Sequence, residues 1–145
     1  MKNVVIVTGG AGFIGSHAVD LLIEKGFAVR VLDNLSGGRL SNIEHHMSNP
    51  DFEFVEGDIL NLGPGDTFFS GVKYVIHFAG IGDIVPSIEK PIDYMEVNLL
   101  GTVRVLECCK ASGIDRFVYA ASSSCYGIAD VPTDEEHSIK PQYPY

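Results

Sequence analysis

The chain has 145 residues, 46% of them apolar and 20% charged, which fits one domain with a real hydrophobic core and argues against disorder or a two-domain layout. Its net charge of −9 argues against a nucleic-acid partner, because phosphate backbones are held by basic surfaces. Small phosphate-bearing ligands stay open, since oriented backbone amides hold phosphate without adding to the charge count. The three cysteines, two of them adjacent at Cys108 and Cys109, make no disulfide framework and lead us to expect a reducing, cytoplasmic setting. No apolar run has the length of a membrane span and the N-terminus opens directly into a strand, so we expect neither a secretory signal nor a membrane partner.

Val4 to Val7 reads as a buried first strand, four consecutive aliphatic residues rich in β-branching. Gly9, Gly10, Gly12 and Gly15 follow where that strand must turn into a helix. Their spacing satisfies a dinucleotide fingerprint: a tight turn, a backbone free to approach a pyrophosphate, and a helix packed hard on the strand. The helix predicted from Phe13 to Lys25 carries Ala18, Leu21 and Leu22 on one face and ends at Gly26. Its N-terminus offers free N–H groups and a positive dipole end to phosphate. A second strand, Ala28 to Leu32, ends at Asp33, about twenty residues beyond the glycines, where a carboxylate can bond ribose hydroxyls. The same charge repels a 2′-phosphate, which favours NAD over NADP.

Asn34 to Arg39 is a loop by composition. A short helical piece is expected over 41–47, a strand over Phe52–Val55, a second short helix over 66–69 and a fourth strand over Tyr74–Phe78. The longest helix should run from Ile92 to Ala111, with Tyr94, Val97, Leu100 or Gly101, Val105 and Cys108 forming an apolar stripe. Gly113 lies just past its end, and Phe117–Ala121 reads as the fifth strand. Strands alternating with helices predict an α/β, Rossmann-type doubly wound parallel sheet in the order 3-2-1-4-5. A ligand then belongs at the strands' carboxyl ends, where Thr8 to Gly12, Asp33, Asp58, Phe78 to Gly80 and Ser122 converge.

Six segments in this order resemble the extended short-chain dehydrogenase/reductase family, and within it the nucleotide-sugar epimerases. They are Thr8–Ser16, Asp33-Asn34-Leu35, Gly57-Asp58-Ile59, His77–Gly80, Asn98–Thr102 and Ser122–Gly127. The resemblance implies NAD as cofactor, with Gly9, Gly12, Gly15 and the amides of Phe13 and Ile14 at the pyrophosphate. It places Asp33 at the adenosine ribose, counts Asn34 among the cofactor-binding residues, and puts Asp58 and Ile59 beside adenine, Phe78, Ala79 and Gly80 along the path to the nicotinamide, and Asn98 near it. Ser122, four residues before Tyr126, matches the catalytic Ser/Thr, and Tyr145 the catalytic tyrosine.

The implied reaction is oxidation and re-reduction of a sugar carbon, with 4-epimerisation of a UDP-hexose as the leading reading. Dehydratases of the family carry Asp-Glu where this chain has Ser123-Ser124, which disfavours water elimination; reductase and 3,5-epimerase branches fit the serine run. A non-catalytic NAD-binding module is the reading from another class. Tyr145 is the last residue, so the lysine that follows the tyrosine in the family, the sixth strand and the sugar-binding region are expected to be missing. Residues 1–145 then form an incomplete NAD-binding domain without a substrate domain, expected to be inactive by itself. The resemblance also implies a homodimer, or self-association through helix 92–111 with its Tyr94–Cys108 stripe left exposed. His45-His46 reads as solvated surface and no metal is expected, because no cysteine or carboxylate stands at ligand spacing. His77 reads as a hydrogen-bonded core residue.

Overall fold

The computed structural model describes residues 2–145. Five parallel strands form one sheet in the order β3-β2-β1-β4-β5: β1 (Val4–Thr8), β2 (Ala28–Asp33), β3 (Phe52–Glu56), β4 (Val72–His77) and β5 (Arg116–Tyr119). The order and direction are those expected from the alternation of strands and helices. Period-two alternation sends Val7, Val29 and Val31 to one face with Val19 of α1 (Phe13–Glu24). Ile6, Leu32 and Val75 go to the other, with Val105 and Cys108 of α4 (Thr102–Ser112). Both faces are therefore dry over the central strands β1 and β2, whose sequences are near-continuous aliphatic runs, whereas Val118 and Tyr119 of the edge strand β5 are exposed.

Register aligns the carboxyl ends. Thr8 lies opposite Leu32 on one side and His77 on the other, Asp33 pairs with Glu56, and His77 pairs with Tyr119. Successive crossovers leave β1 in opposite directions, so a crevice opens between β1 and β4 above these residues.

Helix α1 ends where Gly26 takes φ +83°. The Phe27 N–H donates to the Leu22 carbonyl at 3.0 Å and the Gly26 N–H to that of Ile23 at 2.9 Å, a Schellman stop that residues with a Cβ form at a cost. The face α1 buries is Gly15, Ser16 and Val19. Leu21, expected on it, is 53% exposed, because the sheet meets the helix one position round.

The expected 92–111 helix is interrupted. Helix α3 (Pro91–Tyr94) passes into a π-helical segment, Met95–Gly101, before α4 begins. Gly101 sits at the contact: a Cβ there would lie 2.5 Å from Ile59 Cδ1. The stripe predicted to be exposed is instead mostly core, with Tyr94, Gly101, Val105 and Cys108 buried and Val97 half-buried. The solvent face carries a second apolar row, Ile92, Met95, Leu99, Val103 and Leu106.

Helix α2 (Ile84–Glu89) lacks a periodic signal, and its Pro86 stands in the first turn, where a missing N–H costs nothing. The pieces expected at 41–47 and 66–69 are 3-10 turns, Leu40–Asn42, Glu44–His46 and Thr67–Phe69. Among the described residues no helix is long and apolar enough to cross a membrane.

Candidate functional site: a dinucleotide cleft at the carboxyl edge of the sheet

The turn after β1 is set by two backbone requirements. Gly9 has φ +68°, and a Cβ there would fall 2.7 Å from the Ala79 nitrogen. A Cβ on Gly15 would fall 2.1 Å from the Gly9 carbonyl oxygen. The chain therefore folds so tightly that β1, α1 and the loop after β4 meet without side chains between them. Gly12 caps α1 without a side chain, so the first N–H groups of the helix, those of Phe13 and Ile14 among them, have no partner from a capping residue. The Phe13 and Ile14 side chains themselves are 80% and 65% exposed.

Asp33 is buried at the end of β2 and its carboxylate is fixed from two sides. Oδ2 accepts the Ala11 N–H at 2.9 Å, and Oδ1 accepts the Leu35 N–H at 2.8 Å. The acid thus touches the glycine turn itself. Each oxygen retains a lone pair for a second donor. The Asn34 side chain is engaged by the protein: its amide donates to Asp58 Oδ2 at 2.9 Å while its side-chain carbonyl accepts the Ser36 N–H and hydroxyl. Asp58 in turn caps a 3-10 turn by accepting the Leu60 N–H at 2.9 Å.

These groups border a cleft of about 270 Å³ lined by Gly9, Gly12, Asp33, Asn34, Asp58 and Ile59, with Phe78, Ala79 and Gly80 at its inner end. Ser36, Gly37 and Gly38 also border it; composition marked them only as loop, and no local pattern could have said more. A Cβ on Gly38 would lie 2.9 Å from both Asp33 oxygens, so the loop approaches the acid as closely as a glycine allows.

A second cleft of about 240 Å³ continues from Phe78–Gly80 and is lined by Asn98, Ser122 and Tyr145. Asn98 does not point freely into it. Its side chain accepts the Ile81 N–H at 2.9 Å and donates to the Ile81 carbonyl at 2.8 Å, clamping the loop that separates the clefts. Tyr145 and Ser122 line the same cavity, yet the short contact of the phenol is with Ser124, whose Oγ lies 2.5 Å from Tyr145 Oη. Ser122 Oγ accepts the Ser124 N–H at 3.2 Å. The family resemblance singles out Ser122, and not Ser124, for the catalytic role.

His77 lines the second cleft at the end of β4. It is buried, with Nδ1 2.6 Å from Thr8 Oγ1 and Nε2 3.0 Å from Thr102 Oγ1. The Thr102 hydroxyl donates to the Asn98 carbonyl at 2.6 Å, so it accepts from Nε2–H, and Nδ1 takes the Thr8 proton. The imidazole is therefore the neutral Nε2–H form, in keeping with burial that pushes its pKa down to about 4. The expectation of a hydrogen-bonded core histidine holds, and its partners tie β1, β4 and the Asn98 segment together.

A parallel sheet whose first turn is all backbone, with a fixed acid at the end of the second strand, defines a dinucleotide-binding Rossmann domain. Residues 5–145 match the model of the NAD dependent epimerase/dehydratase family, and the chain belongs to that family. It is 42% identical over 144 residues to a putative UDP-glucose 4-epimerase of Methanocaldococcus jannaschii, covering 97% of this chain and 46% of that protein. It is 40% identical over 148 residues to the human UDP-glucose 4-epimerase, covering 94% and 42%. A crystal structure of UDP-glucose-4-epimerase from Stenotrophomonas maltophila, with bound NAD and formylated UDP-arabinopyranose, superposes with a TM-score of 0.90 at 30% identity, over 100% of this chain and 44% of that one. The chain thus spans a little under half the length of these relatives.

Proposed function

We propose that this chain is the NAD-binding portion of an NAD-dependent nucleotide-sugar epimerase, the whole protein's reaction being 4-epimerisation of a UDP-hexose in the cytosol. The observation that carries the reading is Asp33: a buried carboxylate pinned to the glycine turn by the Ala11 N–H, with its remaining lone pairs beside the first cleft. The site fits NAD on its own terms, because the cradle at Gly9 and Gly15 has no room for a Cβ. Phe13 and Ile14 amides hold the pyrophosphate, Asp33 the adenosine ribose, and Asp58 and Ile59 border the adenine; Phe78, Ala79 and Gly80 lead to the nicotinamide end. NAD, when bound, supplies a reversible hydride acceptor for a sugar carbon.

The protein's share is position and proton traffic. Ser122 orients the sugar hydroxyl, and Tyr145 holds the proton that leaves its oxygen. Asn98 keeps the intervening loop in place through Ile81. A dehydratase is disfavoured by the group beside Tyr145, which is the Ser124 hydroxyl and not a carboxylate able to serve water elimination. The exposed row Ile92, Met95, Leu99, Val103 and Leu106 is the surface through which we propose that two copies associate.

Equilibrium dialysis of the 145-residue chain with NAD and NADP tests the cofactor reading. One NAD per chain should bind, NADP more weakly. Asp33→Asn should weaken NAD by about ten- to a hundredfold, the loss of charged hydrogen bonds worth roughly 1.5–3 kcal/mol. Failure of NAD to bind at millimolar concentration, or an unchanged affinity in the variant, would remove the basis for the assignment.

A further inference from the structure

We propose that Asp20, His45 and His46 form a transition-metal site, with zinc the ion of matching chemistry, that clips the β2–β3 crossover onto α1. Asp20 comes from the middle of α1, and the two histidines from the 3-10 turn Glu44–His46. His45 Nε2 lies 3.0 Å and His46 Nε2 2.7 Å from the same oxygen, Asp20 Oδ1. All three ligand atoms fall within 4.8 Å of one another.

Adjacent residues in a 3-10 turn ordinarily point about 120° apart. Here their rings are 4.0 Å apart, tilted by 46°, and aimed at one point. That convergence is what a metal needs. A tetrahedral zinc with bonds of about 2.0–2.1 Å keeps its ligand atoms roughly 3.3 Å apart, so His45 Nε2 would draw back from the oxygen by about 0.3 Å and His46 Nε2 by about 0.6 Å.

Two of the three donors are held before any ion arrives. Asp20 stands on a helix, and the His46 side chain is only 15% exposed, its ring 5.5 Å from that of Phe52 on β3. His45 and Asp20 are half exposed, leaving an approach from solvent and room for water to complete the shell. Two imidazoles with one carboxylate suit zinc, copper or nickel and not magnesium or calcium, which take oxygen ligands. Without metal, each Nε2–H donates to the carboxylate. With metal, the Nε2 lone pair binds the ion and the ring proton resides on Nδ1. Sequence inspection misses the set because Asp20 stands 25 residues from His45 and only the crossover brings them together.

The crossover that would be clipped also forms a wall of the first cleft. The Arg39 N–H and the Asn42 amide both donate to the Ala11 carbonyl, at 3.0 and 2.8 Å. A metal at its outer side braces that wall from behind.

Titration of the 145-residue chain with ZnCl2, read by calorimetry and by 15N NMR of the histidine rings, tests the proposal. We expect one equivalent to bind, with the Nε2 resonances of His45 and His46 moving from protonated to metal-bound positions and Nδ1 gaining the proton. His45→Gln and His46→Gln should each weaken binding at least tenfold, and Asp20→Asn should weaken it as well, with circular dichroism unchanged. Ring resonances that stay put under excess ZnCl2 would overturn the site. So would an affinity unchanged in the double histidine variant, which would move the ion to the thiols.

Discussion

Acidification from pH 7 to pH 5 puts a proton on residue 77 in the unfolded chain, and the native environment of His77 refuses that charge. Its pKa falls from 6.5 to about 4 because burial removes the water that would solvate an imidazolium. The native value lies below the unfolded one, so between pH 6.5 and 4 the unfolded chain binds a proton that the native protein does not. Stability is therefore fully present above the unfolded value and is lost as pH falls toward the native one. At pH 5 the unfolded residue is almost wholly charged and the native one mostly neutral. The linkage loss is then about 2 kcal/mol, levelling off near 3 kcal/mol below pH 4.

Urea denaturation at pH 7 and pH 5 measures this when the chain is compared with His77→Gln, which keeps a donor and an acceptor but does not titrate. The unaltered chain should lose about 2 kcal/mol more than the variant between the two pH values. Histidine NMR gives a second reading, since the His77 ring should not titrate above pH 5 in the native protein. Equal losses in the two proteins, or a native midpoint between 6 and 7, would refute the argument that the Thr8–His77–Thr102 chain holds a neutral ring.

Gly15→Ala forces a Cβ to within 2.1 Å of the Gly9 carbonyl; we expect a loss of about 2–3 kcal/mol in urea unfolding and NAD binding that fails with it, whereas Gly37→Ala, where a Cβ meets nothing within 4 Å, should leave stability near its original value. Leu99→Asp, in the exposed row on the π segment, should convert any concentration-dependent association seen by sedimentation into a monomer without lowering the melting temperature; Val105→Asp, in the buried row, should unfold the chain. With a thiol reagent at pH 8, Cys125 should label first in peptide mass spectrometry. Burial pushes the Cys109 thiol up to about 11 and raises that of Cys108 as well, so those two should label only under denaturant.

The features that the sequence determined by itself are those whose cause is local. A run of aliphatic residues, then Gly9 to Gly15, then a helix and a strand ending in Asp33, reads directly as a strand–turn–helix, because each residue type answers a demand of its own few neighbours. The alternation of such units dictated the sheet order through the handedness of crossovers.

Tertiary structure decided what depends on partners far along the chain. Residues 92–111 carry two apolar rows, and periodicity cannot say which meets the sheet. Gly101 against Ile59 and the π segment set the phase, so the Tyr94–Cys108 row is buried and the Ile92–Leu106 row faces out. Asp20 meets two histidines because two successive crossovers lie side by side, Asn98 clamps Ile81 across the β4–β5 connection, and Ser124 meets Tyr145 across the segment that follows β5. Hydrogen bonding acts over about 3 Å of space and is indifferent to sequence separation. A chemical role resting on such contacts exists only once the strands have paired.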